Sequence, residues 1–263
     1  MSIQFDPPKG LNPAHLGAFW VRQKHSLPHV RTVQPIATTK EIFGGQGQWL
    51  PPSMQLAFTN EPDCRLQMTS SDDQWMYQVQ TNRLVVNWRK RSEEYPRFSK
   101  TCTRFRSALD AWQTFLVESE MAPLRPRLWE LTYVNRIPRG NLWERPSDWP
   151  KVFPGLWGGN FAAIEGVELC GFQGQWVWEM AHPPARLYVE PKPGRSAEEP
   201  SQDVLFLSLT ARGHANPSGA SAANNIDGIE AGVSIGHDLI VGTFDRIASD
   251  IAKKEWRRHA DID

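Results

Sequence analysis

The sequence predicts an α+β fold in which a twisted antiparallel sheet carries two long helices on one face. Three observations predict it. Apolar residues repeat at helical spacing in two long stretches, the residues before each stretch alternate with the period of a strand, and the order of elements recurs along the chain. The halves, about 1–122 and 123–263, read as a duplicated unit of strand, short helix, four strands and long helix within a single domain of 263 residues.

In the first half, Ser2 to Phe5 reads as a strand and Pro13 to Lys24 as a short helix capped by Asn12. A strand is expected from about Met54 to Phe58. Arg65 to Ser70, Trp75 to Gln80 and Leu84 to Arg89 follow with period two, and Thr81-Asn82-Arg83 forms a hairpin turn in which Asn82 best tolerates a left-handed backbone. Strand alternation sends one set of side chains into the core and leaves Gln78, Gln80, Arg83, Asn87 and Arg89 to line the other face. The first long helix runs from about Tyr95 to Glu118 with Pro96 in its opening turn. Phe98, Cys102, Phe105, Leu109, Trp112 and Leu116 make its buried stripe. On its opposite side Arg97, Lys100 and Arg104 stand one above another, either as a solvated face or as a phosphate-binding ridge.

In the second half, Arg127 to Asn135 reads as a strand, and a Trp/Pro-rich connection through Trp157 has room for a short helix. Strands are expected near Glu168 to Cys170, Gln175 to Met180, Ala185 to Glu190 and Val204 to Thr210. The second long helix spans roughly Gly236 to Arg258 on the stripe Ile240, Phe244, Ile247 and Ile251. Asp238 falls in its first turn and Lys253, Lys254, Arg257 and Arg258 in its last, as the helix dipole favours. Pro191 to Ser201 and Gly213 to Gly228, rich in Pro, Gly, Ser, Ala or Asn, read as surface loops.

No apolar run reaches twenty residues and no amino-terminal signal stands out, so the expectation is a cytoplasmic protein without a membrane partner. Cys64, Cys102 and Cys170 form no C-x-x-C pair, which argues against a disulfide framework. The composition has one anomaly, twelve tryptophans together with twenty arginines against nine lysines. Tryptophan and arginine dominate binding hot spots, although the plainer use of both is to fill the space between a curved sheet and its helices. Trp88, Trp112, Trp176 and Trp178 lie on patterned elements and are expected in the core. Trp143, Trp149 and Trp157 lie in the irregular connection and are candidates for an interaction surface.

The formal charge is zero, which weighs against a nucleic-acid binder. Local excess exists from Arg83 to Arg106, where Arg83, Arg89, Lys90, Arg91, Arg97, Lys100, Arg104 and Arg106 face only Glu93 and Glu94. Such a stretch either meets phosphates or offsets acidic neighbours in the fold. Reaction centres are not legible. His25 and His29 flank Pro28, where no continuous helix aligns them as metal ligands. His237-Asp238 reads as a helix start rather than a metal pair. Gly44-Gly45-Gln46-Gly47 and Gly155 to Gly159 lack the residues that make a phosphate loop, and the serines sit in no nucleophile elbow. No catalytic residue, metal or cofactor is expected.

Phe5-Asp6-Pro7, Ala14 to Trp20, Val85 to Arg89, Tyr95-Pro96-Arg97-Phe98, Glu130 to Ile137 and a closing His237-Asp238…Phe244…Trp256 resemble, in order and spacing, a sporadically distributed, uncharacterised bacterial protein family. The resemblance implies a bacterial or phage-related protein, carried on mobile elements or in defence or toxin-antitoxin loci, and implies no activity. Separately, the element order is similar to the TATA-binding-protein-like fold, and a single copy of the unit to helix-grip proteins. That likeness carries architecture and not function.

The reading that follows is a non-enzymatic interaction protein that meets a protein partner, or a second copy of itself, through a Trp/Arg-rich sheet surface. Its candidate residues are Arg83, Asn87, Arg89, Arg97, Lys100, Arg104, Trp143, Trp149 and Trp157. The alternatives are a nucleic-acid-binding regulator using the Arg83–Arg106 segment and an enzyme in which Tyr133, Asn135 and Arg136 converge with Glu130. Alternation opposes that convergence, because Tyr133 and Asn135 share one face while Arg136 and Glu130 share the other.

Overall fold

The computed structural model describes residues 1–44, 64–91, 95–157, 167–197, 199–215 and 226–257. Its sheet is antiparallel, with nine strands in the order β2-β3-β4-β5-β1-β6-β9-β8-β7. The strands are β1 Ser2–Phe5, β2 His29–Val33, β3 Arg65–Thr69, β4 Trp75–Gln80, β5 Arg83–Trp88, β6 Pro126–Pro138, β7 Trp176–Met180, β8 Ala185–Arg195 and β9 Asp203–His214. The helices are α1 Pro13–Gln23, α2 Phe98–Glu118, α3 Trp149–Val152, α4 Pro154–Trp157, α5 Ile226–Ile247 and α6 Asp250–Arg257. The α+β class and the antiparallel sheet expected from the sequence are therefore present. Contacts divide the chain into two compact units, one of residues 1–130, 181–185 and 212–234, the other of residues 131–180, 186–211 and 235–263. These boundaries do not follow the halves 1–122 and 123–263.

In the first unit the register assigns every side chain to a face. Ile3 lies opposite Leu84 on one side and Trp129 on the other, and Leu84 opposite Val79, which pairs with Leu66. This row is buried throughout. Helices cover it. Phe5, two residues along β1 on the same face, contacts Trp112 of α2 at 6.4 Å between ring centroids, and Phe19 of α1 meets Trp112 edge-on at 4.8 Å. The α2 stripe is buried at Phe105, Leu109, Trp112 and Leu116, as the four-three spacing requires. The start of α5 lies on this face too. A Cβ placed on Gly232 would come 2.3 Å from Trp129 Nε1, and one on Gly213 of β9 would come 2.5 Å from the same indole. Trp129 thus lies in a slot that only glycines leave open. Arg106 of α2 donates to Asp227 and Glu230 of α5 at 3.2 and 2.6 Å.

Several boundaries differ from expectation, each for a local reason. Asn12 caps α1 by accepting from the amides of Ala14 and His15, but α2 begins only at Phe98, so Pro96 precedes the helix rather than opening it. The left-handed non-glycine residues among those described are Asp73 (φ 57°), in the turn between β3 and β4, and Glu120 (φ 57°), just after α2. Asn82 instead spends its amide group on hydrogen bonds from Gln80 and to Thr38. β2, unforeseen, is an edge strand with exposed side chains, so it carries no apolar rhythm to read. The strand expected at Met54 to Phe58 lies outside the described residues.

In the second unit β6, β8 and β9 bury Leu131, Ile137, Leu187, Val189, Leu205, Leu207 and Leu209. Residues 168–170 are not a strand. β8 runs on to Arg195, through Pro191 and Pro193, where a loop was expected. The second long helix is two helices. It starts at Ile226, so His237-Asp238 lies in the middle of α5 and not at a helix start, and it ends at Ile247. Ser249 Oγ then accepts from Ala252 N at 3.2 Å, an N-cap that begins α6 with Asp250 in its first turn. The break rotates the face, and Ile251, expected in the stripe, is 74 % exposed. Phe153, Phe244 and Trp256 pack together instead.

Candidate functional site

The other face of the first unit's sheet is polar and nonetheless buried. One row across the strands is Arg31, Gln67, Gln78, Val85, Ser2 and Glu130; the neighbouring row holds Gln80, Arg83, Gln4 and Leu128. Gln67, Gln78, Gln80, Arg83, Ser2 and Gln4 are all buried. Burying so many polar groups is unfavourable unless each finds a partner.

Gln67 and Gln78 pair with each other and with Arg31 and Arg65, and Ser2 with Glu130; for Gln4, Gln80 and Arg83 the partners come from a strap of chain, residues 34–41, that crosses this face. The Gln80 side-chain amide accepts from Ile36 N and donates to Ile36 O, both at 2.9 Å. Gln4 treats Thr39 identically, accepting from its N at 2.8 Å and donating to its O at 2.9 Å. Arg83 Nη2 donates to Ala37 O at 3.4 Å, Thr39 Oγ1 at 3.0 Å and Gln4 Oε1 at 2.8 Å, while Arg65 Nε donates to Gln34 O at 3.0 Å. A primary amide that pairs with both the N–H and the C=O of one residue reads main chain and is indifferent to the side chain it holds.

Charges gather at the end of the strap. Arg212 binds Glu130 and reaches Glu41 at 3.3 Å, and Arg83 lies 3.9 Å from Glu130. Burial lowers the pKa of Arg83, with Glu130 opposing the shift; burial and then Arg31 lower that of Arg65. A hollow of about 530 Å³ opens beside Thr38 to Glu41, walled by Gln4, Asn82, Arg127 and His214.

The sequence-predicted residues do not assemble into one patch. Arg83 and Asn87 share the polar face, Arg83 buried and Asn87 half-buried. Arg89 and Arg91 both bind Asp73. Arg97 is exposed just before α2, Lys100 is exposed in the first turn, and Arg104 lies across the sheet from Arg83, 4.5 Å over the ring of Trp75. The basic run is thus spread over both faces, and Arg83, Arg89, Arg91 and Arg106 of it are met by carboxylates. Trp143 and Trp149 are not surface residues. They are 5 % and 1 % exposed and pack edge-to-face, and Trp143 Nε1 donates to Ile137 O at 3.1 Å. The short helices α3 and α4 supply the cover that the irregular sequence concealed. Trp157 is half-buried against Phe172 and Trp176. Trp178, expected in the core, is 42 % exposed beside exposed Val177 on β7, an edge strand.

The residues of the enzyme reading are engaged separately. Tyr133 Oη is 2.9 Å from His237 Nδ1, Arg136 donates to Ser196 Oγ at 2.9 Å, and Glu130 is held by Arg212. Burial lowers the His237 pKa, with Asp238 opposing the shift. Among the described residues no group of three His, Cys, Asp or Glu is arranged to hold a metal ion, and no helix is long and apolar enough to cross a membrane. Sequence reading missed Gln4, Glu41, Arg212 and the strap. The signal for Gln4 was present in its two-residue spacing from Ser2, a polar pair on a strand whose other residues are apolar. Comparison with protein-family models, with curated proteins and with solved structures finds no match.

Proposed function

We propose that this protein is a non-enzymatic binding protein that takes an extended polypeptide segment of a protein partner onto its polar sheet face, in the position held by residues 34–41. One observation carries the reading: Gln4 and Gln80, both buried, each grip one residue of an extended chain by its main-chain N–H and C=O. The recognition is by backbone, as when a strand is added to a sheet, but from the face rather than the edge. The arginines at positions 65 and 83 supply further donors to main-chain carbonyls. A protein partner is favoured over nucleic acid because the run from Arg83 to Arg106 offers no continuous basic surface. Free thiols at Cys102 and Cys170 fit a reducing, cytoplasmic setting.

The test uses a fluorescent peptide with the sequence Gln34 to Glu41 and a variant, Ile36→Pro/Thr39→Pro, whose strap lacks the two gripped N–H groups. The expected result is saturable binding to the variant, lost when Gln4→Ala and Gln80→Ala are added. A folded variant, judged by circular dichroism, that ignores the peptide would sink the reading. The unaltered protein provides a second readout, since excess peptide should accelerate hydrogen exchange at Ile36 and Thr39.

A further inference from the structure

A second feature of the first unit, on the helix-covered face, is independent of the strap. Between the end of α1 and the outer side of α2 lies a cleft of about 490 Å³, walled by Gln23, Ser26 and Leu27, by Lys100 and Arg104, and by Tyr77 of β4. We propose that this cleft binds a small organic phosphate, with Arg104 and Lys100 on the phosphate and Leu27 and Ala108 against the body of the ligand.

Arg104 is the reason. Its guanidinium is fixed in place, stacked 4.5 Å over Trp75 with Nε donating to the Tyr77 hydroxyl at 3.3 Å. Stacking holds the planar group without using its outer donors. Its neighbours along the chain are neutralised: Arg89 and Arg91 by Asp73, and Arg106 by Asp110, Asp227 and Glu230. No carboxylate among the described residues lies within 4.0 Å of Arg104 or Lys100. Asp72 senses Arg104 only as the weakest influence on its carboxyl, which Ser70 and the Gln74 amide already engage. An arginine held by stacking on the wall of a cleft, with donors to spare, is preorganised for an oxyanion.

The rest of the wall agrees. Lys100 lies one turn before Arg104 on the same side of α2, so two positive charges face the cavity. Tyr77 Oη accepts from Arg104 and keeps its own proton to donate. Two cations and, among the described residues, no acidic wall residue match a dianion better than a monoanion. The cavity is also far larger than a phosphate group, and its apolar side at Leu27 and Ala108 suits an organic body.

Calorimetric titration at low ionic strength with inorganic phosphate, phenyl phosphate and benzoate tests the proposal on the intact chain. Phenyl phosphate is expected to bind more tightly than inorganic phosphate and at least tenfold more tightly than benzoate, with affinity falling as sodium chloride is added. Arg104→Gln should weaken phenyl phosphate at least tenfold. Because Arg104 also packs on Trp75, Lys100→Gln gives the second reading: the side chain is exposed, so the Tm should hold while affinity drops several-fold. Binding that both substitutions leave unchanged, no binding by either phosphate, or benzoate binding as well as phenyl phosphate would each overturn it.

Discussion

The two faces of the first unit's sheet are built on the same strands, yet they are closed by different physics. On one, Ile3, Leu84, Val79 and Trp129 are sealed by helices through apolar contact. On the other, Gln4, Gln80 and Arg83 are sealed by an extended strap through directional hydrogen bonds. Apolar burial is non-directional and contributes about 25 cal/mol per Å² removed from water. A hydrogen bond exchanged with water contributes only about 1 kcal/mol net, while an orphaned buried group costs more. The helix face should therefore hold most of the stability, and the strap face most of the specificity for what lies on it.

The largest effect expected is at the centre of the helix face. Trp112→Ala removes a fully buried ring that touches Phe5, Phe19 and Phe115, and should cost about 3–5 kcal/mol. Urea denaturation followed by far-UV circular dichroism measures it. A loss below about 1 kcal/mol would place the stability elsewhere and break the comparison. Next comes the tryptophan slot. Gly232→Ala sets a methyl 2.3 Å from Trp129 Nε1, with a second indole atom at 2.6 Å, so the ring or α5 must shift, at about 1–3 kcal/mol. An unchanged Tm would mean that the slot is looser than its geometry.

The strap face should respond less in stability and more in local order. Gln80→Ala frees Ile36 N and O, which lie near solvent once released, so about 1 kcal/mol is expected. Hydrogen exchange at Ile36 should accelerate while amides of α2 keep their protection, since local opening need not involve the helix face. Equal acceleration on both faces would show that the strap and the helices open together.

What was legible in the sequence follows the same division. The apolar face was readable because burial imposes a period: Phe105, Leu109, Trp112 and Leu116 announce α2, and the β4 strand was placed without error. Polar alternation also put Gln78, Gln80 and Arg83 on one face, which the register confirms. The strap was not readable, because it is held by its backbone and its own side chains need follow no pattern. Trp143 and Trp149 misled for a related reason. Short irregular helices bury side chains without a rhythm, so the absence of periodicity there did not mean exposure. Ser249-Asp250 did carry the signal for the break between α5 and α6, but the apolar spacing on either side of it was nearly continuous.

The smallest effect expected isolates burial from chemistry. Arg83 and Arg31 make nearly the same bond, Arg83 to Gln4 Oε1 at 2.8 Å and Arg31 to Gln67 Oε1 at 2.7 Å. Arg83 is 4 % exposed beneath the strap, whereas Arg31 stands on the exposed edge strand β2. At an edge, water replaces a lost donor at little cost, so Arg31→Met should change stability by no more than about 0.5 kcal/mol. Gln67 keeps its amide bond to Gln78, and exchange at Ile36 and Thr39 should not change. A loss above about 1 kcal/mol, with faster exchange at Thr39, would show instead that the polar row from β2 to β6 acts as one cooperative network, in which the edge matters as much as the centre.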